Sequence, residues 1–257
     1  MTATAQVLRD EEAPARPQTP FADLLPYWTG GQVKMPGIVR WKKYLLAGFG
    51  GVRRQNNLQH TNSIAELAGI FLQRVRERYG KRYNIDELLL MRAFLCHDRG
   101  EAEIGTDTLY INKSDTQDEK EALAYDHSLK EMPYADHKSF LEAFLLQFGR
   151  KNPNNFRESL RGPMRQHWDT IPDTVLAFET VERWDYLLYA EEQYRERGNL
   201  RILVQVARNQ FELLDKLTAE FLPCAEIVWP PEVRAWYENL LRENEGKWPE
   251  RRSRKKK

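Results

Sequence analysis

Apolar residues recur at helical spacing along most of this chain. Ile64, Leu67, Ala68, Phe71, Leu72 and Val75 fall three and four residues apart, which predicts one buried helix face starting just after His60. A second helix is predicted from "NIDE", with Asn84 as cap and Glu87 three residues on, through "LLLMRAFL" to "CHDRG", where Gly100 would stand just past its end. A third covers "SDTQDEKEALAYDHSLKEM" and stops before Pro133. A fourth, from about Tyr134 to Phe148, buries Phe140, Phe144, Leu145 and Phe148. "GPMRQHWDTIPD", broken by Pro163 and Pro172, reads as short helical pieces and loop. A long helix, "TVLAFETVERWDYLLYAEEQYRERGN", then runs to a stop at Gly198. Two amphipathic helices follow, one on Leu203, Val204, Ala207, Phe211, Leu214 and Leu217, the other on Val233, Trp236, Tyr237, Leu240 and Leu241. No run alternates as a strand would and no internal repeat is visible, so the expected fold class is all-α, a multi-helix bundle around one core.

Composition narrows this picture. With 257 residues and 41% hydrophobic content the chain can bury one substantial core. Its 39 Lys and Arg stand against 38 Asp and Glu, a formal charge of +1, so no global field favours nucleic acid or an anionic membrane surface. The apolar runs are too short to span a bilayer. Two cysteines, Cys96 and Cys224, and an opening "MTATAQVLRDEEAPARPQTP" without a leader's apolar stretch lead us to expect a soluble, cytoplasmic, reduced protein. The expected organisation is an N-terminal extension over 1–35, a core over 36–199, C-terminal helices packed on it over 200–246, and a basic tail over 247–257 that includes "RRSRKKK".

Three places carry candidate chemistry. Asp185 falls in the apolar stripe of its helix, with Phe178, Val181, Leu188 and Tyr189, and an unpaired carboxylate there would cost several kcal/mol. It needs an Arg, a hydrogen-bond network or a cation. His60 sits at the start of another apolar face, and His97 and Asp98 close a third helix. Each has an ordinary structural explanation alone. Together they make two imidazoles and two carboxylates from helices that share one core, a mixed donor set suited to Mn, Co, Fe, Ni or Zn.

The order His60, then His97-Asp98, then Asp185 resembles the HD-domain metal-dependent phosphohydrolases. "IVRWKKYLLAGFGGVRRQNNLQHTNSIAELA", "LCHDRGEAEIGTD" and "ETVERWDYLLYAEEQ" are similar to the matching segments of the bacterial 5'-deoxynucleotidase branch. The resemblance spans Pro36 to Asn199. It implies metal binding by His60, His97, Asp98 and Asp185, with hydrolysis of a nucleotide phosphate and a homo-oligomer, a dimer in that branch. By position it implies that Glu101 is the general acid/base, that Arg40 holds the phosphate, that Trp41 lies against the sugar, and that Asp107 stands near the attacked phosphate. The interval from Asp98 to Asp107 is one residue longer than the family's usual one, and Arg99 follows the pair where a small residue is usual. These departures bear on the substrate more than on the metal.

The longer connection before His60 adds glycines and then Arg53 and Arg54, which could grip further phosphates or simply face water. The expected reaction is conversion of a (deoxy)nucleoside 5'-monophosphate to nucleoside and phosphate. The alternatives are hydrolysis of a di- or triphosphate on the same fold, and a non-catalytic nucleotide-sensing module. His127 and His137 lie in charged surroundings and are expected to face solvent rather than a second metal.

Overall fold

The structure, a computed structural model, describes residues 34–38, 40, 55–105 and 113–244. Trp41, Arg53, Arg54 and Asp107, nearly all of the N-terminal extension, and the basic tail lie outside the described residues. Those described are helical and contain no strand: α1 (Asn57–Tyr79), α2 (Glu87–Cys96), α3 (Arg99–Ile104), α4 (Asp115–Ser128), α5 (Tyr134–Leu145), α6 (Glu158–Thr170), α7 (Pro172–Arg197), α8 (Leu200–Glu220) and α9 (Pro231–Glu243). A short 3-10 turn, Met35–Gly37, precedes α1. The all-α expectation holds.

The main core lies between α1, α2, α7 and α8. Ile64, Ala68 and Phe71 from α1, Leu90 and Phe94 from α2, Phe178 and Val181 from α7, and Leu203 and Ala207 from α8 belong to one buried apolar cluster. The C-terminal helices thus share the core rather than merely cover it. A second cluster, with Tyr125, Phe144, Phe148, Phe156 and Met164, joins α4, α5 and α6 on the other side of α2. Phe94 stacks on Phe178 with centroids 4.7 Å apart, packing α2 against α7 directly behind His97.

Several local expectations shift for identifiable reasons. Asp86, not Asn84, caps α2, its carboxylate accepting from the Leu89 amide at 2.9 Å. Asn84 and Asp86 instead donate their own amides to Asp173 and Thr174, which ties the start of α2 to the start of α7. "GPMRQHWD" is continuous helix in α6, with Pro163 inside it, because Leu160, Met164 and His167 bury one face and packing outweighs the lost backbone bond. Pro172 begins α7, where a missing N–H leaves nothing unpaired. Leu188 is exposed rather than in the buried stripe of α7.

The second helix does end within "CHDRG", at Cys96, but Gly100 is not its stop. It lies inside α3, and the chain turns instead at Gly105, whose φ of 76° is left-handed. Its small size serves packing: a Cβ at Gly100 would stand 2.6 Å from the carbonyl oxygen of Glu121. Gly100→Ala should therefore lower stability by about 1–3 kcal/mol by forcing α3 and α4 apart. A urea titration checks this, and an unchanged midpoint would show that the two helices separate at no cost.

Candidate metal centre

His60 is placed by the start of α1. Asn56 accepts from the Gln59 amide at 2.9 Å while the Gln59 side chain accepts from the Asn56 amide at 3.1 Å, a reciprocal cap that fixes the first turn. His60 lies one residue further and is fully buried. His97 and Asp98 occupy a break between two helices. In one continuous helix neighbouring side chains diverge by about 100°. Here His97 closes α2 and Asp98, with φ −89° and ψ 1°, opens α3, so both can face one point.

The two imidazoles are held from behind. His60 Nδ1 lies 2.8 Å from Asp185 Oδ2, and His97 Nδ1 lies 2.8 Å from the Phe94 carbonyl oxygen. A carboxylate and a carbonyl can only accept, so both Nδ1 atoms carry a proton and the two Nε2 atoms are turned to each other. Those Nε2 atoms are 3.1 Å apart, within hydrogen-bond reach. Asp98 adds Oδ1 at 3.3 Å from His97 Nε2 and Oδ2 at 3.9 Å from His60 Nε2. Three electron-rich groups thus converge in a buried space, an arrangement that repels itself unless a proton or cation lies among them. Donor atoms about 2.0–2.1 Å from a tetrahedral ion lie roughly 3.3 Å from each other, close to the spacing seen. His60, His97 and Asp98 could hold a metal ion, each offering one ligand atom within 4.8 Å of the others.

Asp185 is brought to the same place but differently. Its Oδ2 bonds the ring nitrogen of His60 that faces away from His97, and its Oδ1 accepts from Ser63 Oγ at 2.9 Å. The three convergent ligand atoms therefore come from His60, His97 and Asp98, with Asp185 bracing His60. Burial raises the Asp185 carboxyl, but the charge and hydrogen bond of His60 and the Ser63 hydroxyl outweigh it and hold it low. Burial also raises Asp98, where His97 and Arg40 prevail and hold it well below the usual carboxylate range. His97 itself is pushed down by burial, against the pull of Asp98, which favours neutral imidazole.

Arg40 reaches the cluster from the entry segment. Its amide donates to the Gln55 carbonyl at 2.8 Å and the Asn57 amide donates to the Ile38 carbonyl at 3.1 Å, so the segment is stitched to the start of α1. Arg40 Nη1 donates to Asp98 Oδ2 at 2.6 Å, and the guanidinium lies 5.8 Å from the centroid of the Tyr186 ring. That ring stacks nearly parallel to His60, 6° apart in plane. Met35 and Ile38 pack on Ala102 beneath it.

Glu101, three residues after Asp98, is buried, its Oε2 accepting from Asn57 Nδ2 at 3.0 Å and its Oε1 lying 2.6 Å from Lys113 Nζ. The same ammonium lies 3.0 Å from Glu121 Oε2. Pattern reading passed over Asn57, Ser63, Lys113, Glu121 and Tyr186. Glu121 had a signal: Asp118, Glu121, Ala122 and Tyr125 lie at helical spacing and all are buried, the same mismatch of acid and apolar stripe that singles out Asp185. Lys113 precedes its helix and has no such signal. His127 is exposed and His137 bonds Asp126 at 2.7 Å, so neither joins the cluster.

No family model, no curated protein and no solved structure matches this chain. No helix among the described residues is long and apolar enough to cross a membrane.

Burial pushes the Glu121 carboxyl up to about 7, with Lys113 pulling the other way. Between its ordinary value of 4.5 and about 7 the native state keeps a proton that the unfolded chain has lost. The stability this proton contributes is full below that interval and is lost as pH rises through it. Glu121→Gln is neutral throughout, so its urea stability should fall less than wild type's from pH 5 to pH 8, by about 1–3 kcal/mol. Parallel pH dependence in the two proteins would contradict the burial argument.

Proposed function

We propose that this protein is a metal-dependent phosphohydrolase of the HD-domain kind, acting on the phosphate of a nucleotide. The observation that carries the reading is the convergence of two imidazole nitrogens and a carboxylate, with the buried Arg40 on that carboxylate. Both rings are held through Nδ1 so that their Nε2 atoms face each other beside Asp98.

When bound, a divalent ion such as Mn, Co, Fe, Ni or Zn supplies Lewis acidity toward a phosphoryl oxygen and toward water. His60, His97 and Asp98 would hold it. Asp185 fixes the ring and tautomer of His60, as carboxylates do behind metal-bound histidines. Glu101, held by Asn57 and Lys113, would take and return a proton. Arg40 carries a planar fork suited to phosphate oxygens, beside Asp98. The substrate we favour is a (deoxy)nucleoside 5'-monophosphate, on the resemblance of the segments around these residues.

The test begins with metal content of the purified protein. Asp98→Asn and His97→Ala should lose most bound metal, and Asp185→Asn should weaken affinity about 10- to 100-fold. Glu101→Gln should keep its metal and lose turnover by about a hundred- to ten-thousand-fold. A panel of nucleoside mono-, di- and triphosphates with Mn, Co, Mg and Zn, reading phosphate, pyrophosphate and triphosphate separately, tests the substrate. Triphosphate release would overturn the monophosphate reading; intact metal and activity in Asp98→Asn would sink the site.

A further inference from the structure

Lys113 stands between two buried carboxylates, 2.6 Å from Glu101 Oε1 and 3.0 Å from Glu121 Oε2. One ammonium serving two acids is an unusual arrangement in a core, since it leaves a buried excess of negative charge that two neutral partners or one acid fewer would avoid. The packing creates it deliberately close: Gly100 lets the backbone of Glu121 approach α3, which places Glu121 beside Glu101. Glu101 has its other oxygen on Asn57, at 3.0 Å, so its carboxylate plane is fixed at both ends.

We propose that Lys113 is the positioning residue for Glu101, and that Glu121, by sharing the same ammonium, fixes where that cation stands. The proposal rests on the phosphohydrolase reading, in which Glu101 is the proton-transferring group. The geometry gives the two neighbours unequal effects. Loss of Lys113 removes the group that holds Glu101 Oε1. Loss of the Glu121 carboxyl removes only the far-side hold on the ammonium and leaves the Lys113–Glu101 pair. Burial lowers the proton affinity of Lys113, yet Glu101 and Glu121 outweigh it and keep the ammonium charged well above its ordinary range.

Other charges face the group from each packed element. Asp98 lies at the bend between α2 and α3, with Arg40 on it. Gln117 donates to Glu121 Oε1 at 3.4 Å, and Asp118, on the same helix, pairs with Lys151. These are unchanged in every variant below.

The full chain is compared as wild type, Lys113→Met, Lys113→Arg, Glu121→Gln and the double variant Lys113→Met with Glu121→Gln, which keeps the triad's net charge and guards against a folding failure of the single variant. The readouts are kcat and KM on the nucleotide that wild type turns over, with the urea midpoint of each variant beside them. Lys113→Met and the double variant should lower kcat about tenfold with KM changed little, Lys113→Arg should restore most of the wild-type kcat, and Glu121→Gln should lower kcat less than Lys113→Met. A purely structural role would move KM and the urea midpoint together with kcat and would not be rescued by Lys113→Arg. Wild-type kcat in Lys113→Met overturns the positioning role alone. Absence of turnover by wild type on every nucleotide overturns the phosphohydrolase reading, and the role of Glu101 with it.

Discussion

Two imidazole nitrogens facing each other at 3.1 Å, each ring held by its other nitrogen, form the constraint around which the rest of the structure is arranged. Lone pairs do not meet in a low-dielectric interior without something positive between or beside them. The rings cannot turn away, because Asp185 holds one and the Phe94 carbonyl holds the other. Both anchors depend on the main core: Asp185 belongs to the helix that packs on α1 and α8, and Phe94 stacks on Phe178 of that same helix. Apolar burial thus enforces an electrostatic arrangement that the groups themselves would not choose.

Around this point several buried charges meet a partner close by. Arg40 lies on Asp98, Lys113 on Glu101 and Glu121, and Arg183 lies 3.6 Å from Glu182, which in turn accepts from the Tyr186 hydroxyl. Such networks add little net stability over an apolar core, because desolvation offsets attraction. Their effect is on uniqueness. Removing one member strands the rest, so the arrangement tolerates few alternatives, and a set of charges that contributes little to stability still defines one geometry.

Much of this was legible in the residues. The helix faces of α1, α7, α8 and α9 follow from apolar spacing, since burial is a property of single side chains and recurs with the helical period. Asp185 could be singled out because a carboxylate in an apolar stripe demands a partner. The partner's identity could not, because His60 lies 125 residues away in sequence and spacing carries no information across helices. Nor could the division of labour: four candidate ligands could be named, but which nitrogen of His60 each neighbour meets depends on how α7 is rotated. The end of α2 is legible in "CHDRG", but the role of Gly100 is not, because the same glycine that ends helices also lets two helices touch.

The contacts that assemble the centre join residues 37, 58 and 125 positions apart in the chain. Chain closure over such spans comes late, after local helices have formed. A growing polypeptide with only the first of its donors exposed to the cell has histidines on separate segments but no cage. The braced pair exists once α7 has docked, so a cation that these side chains could hold would meet the final geometry only when the fold is nearly complete.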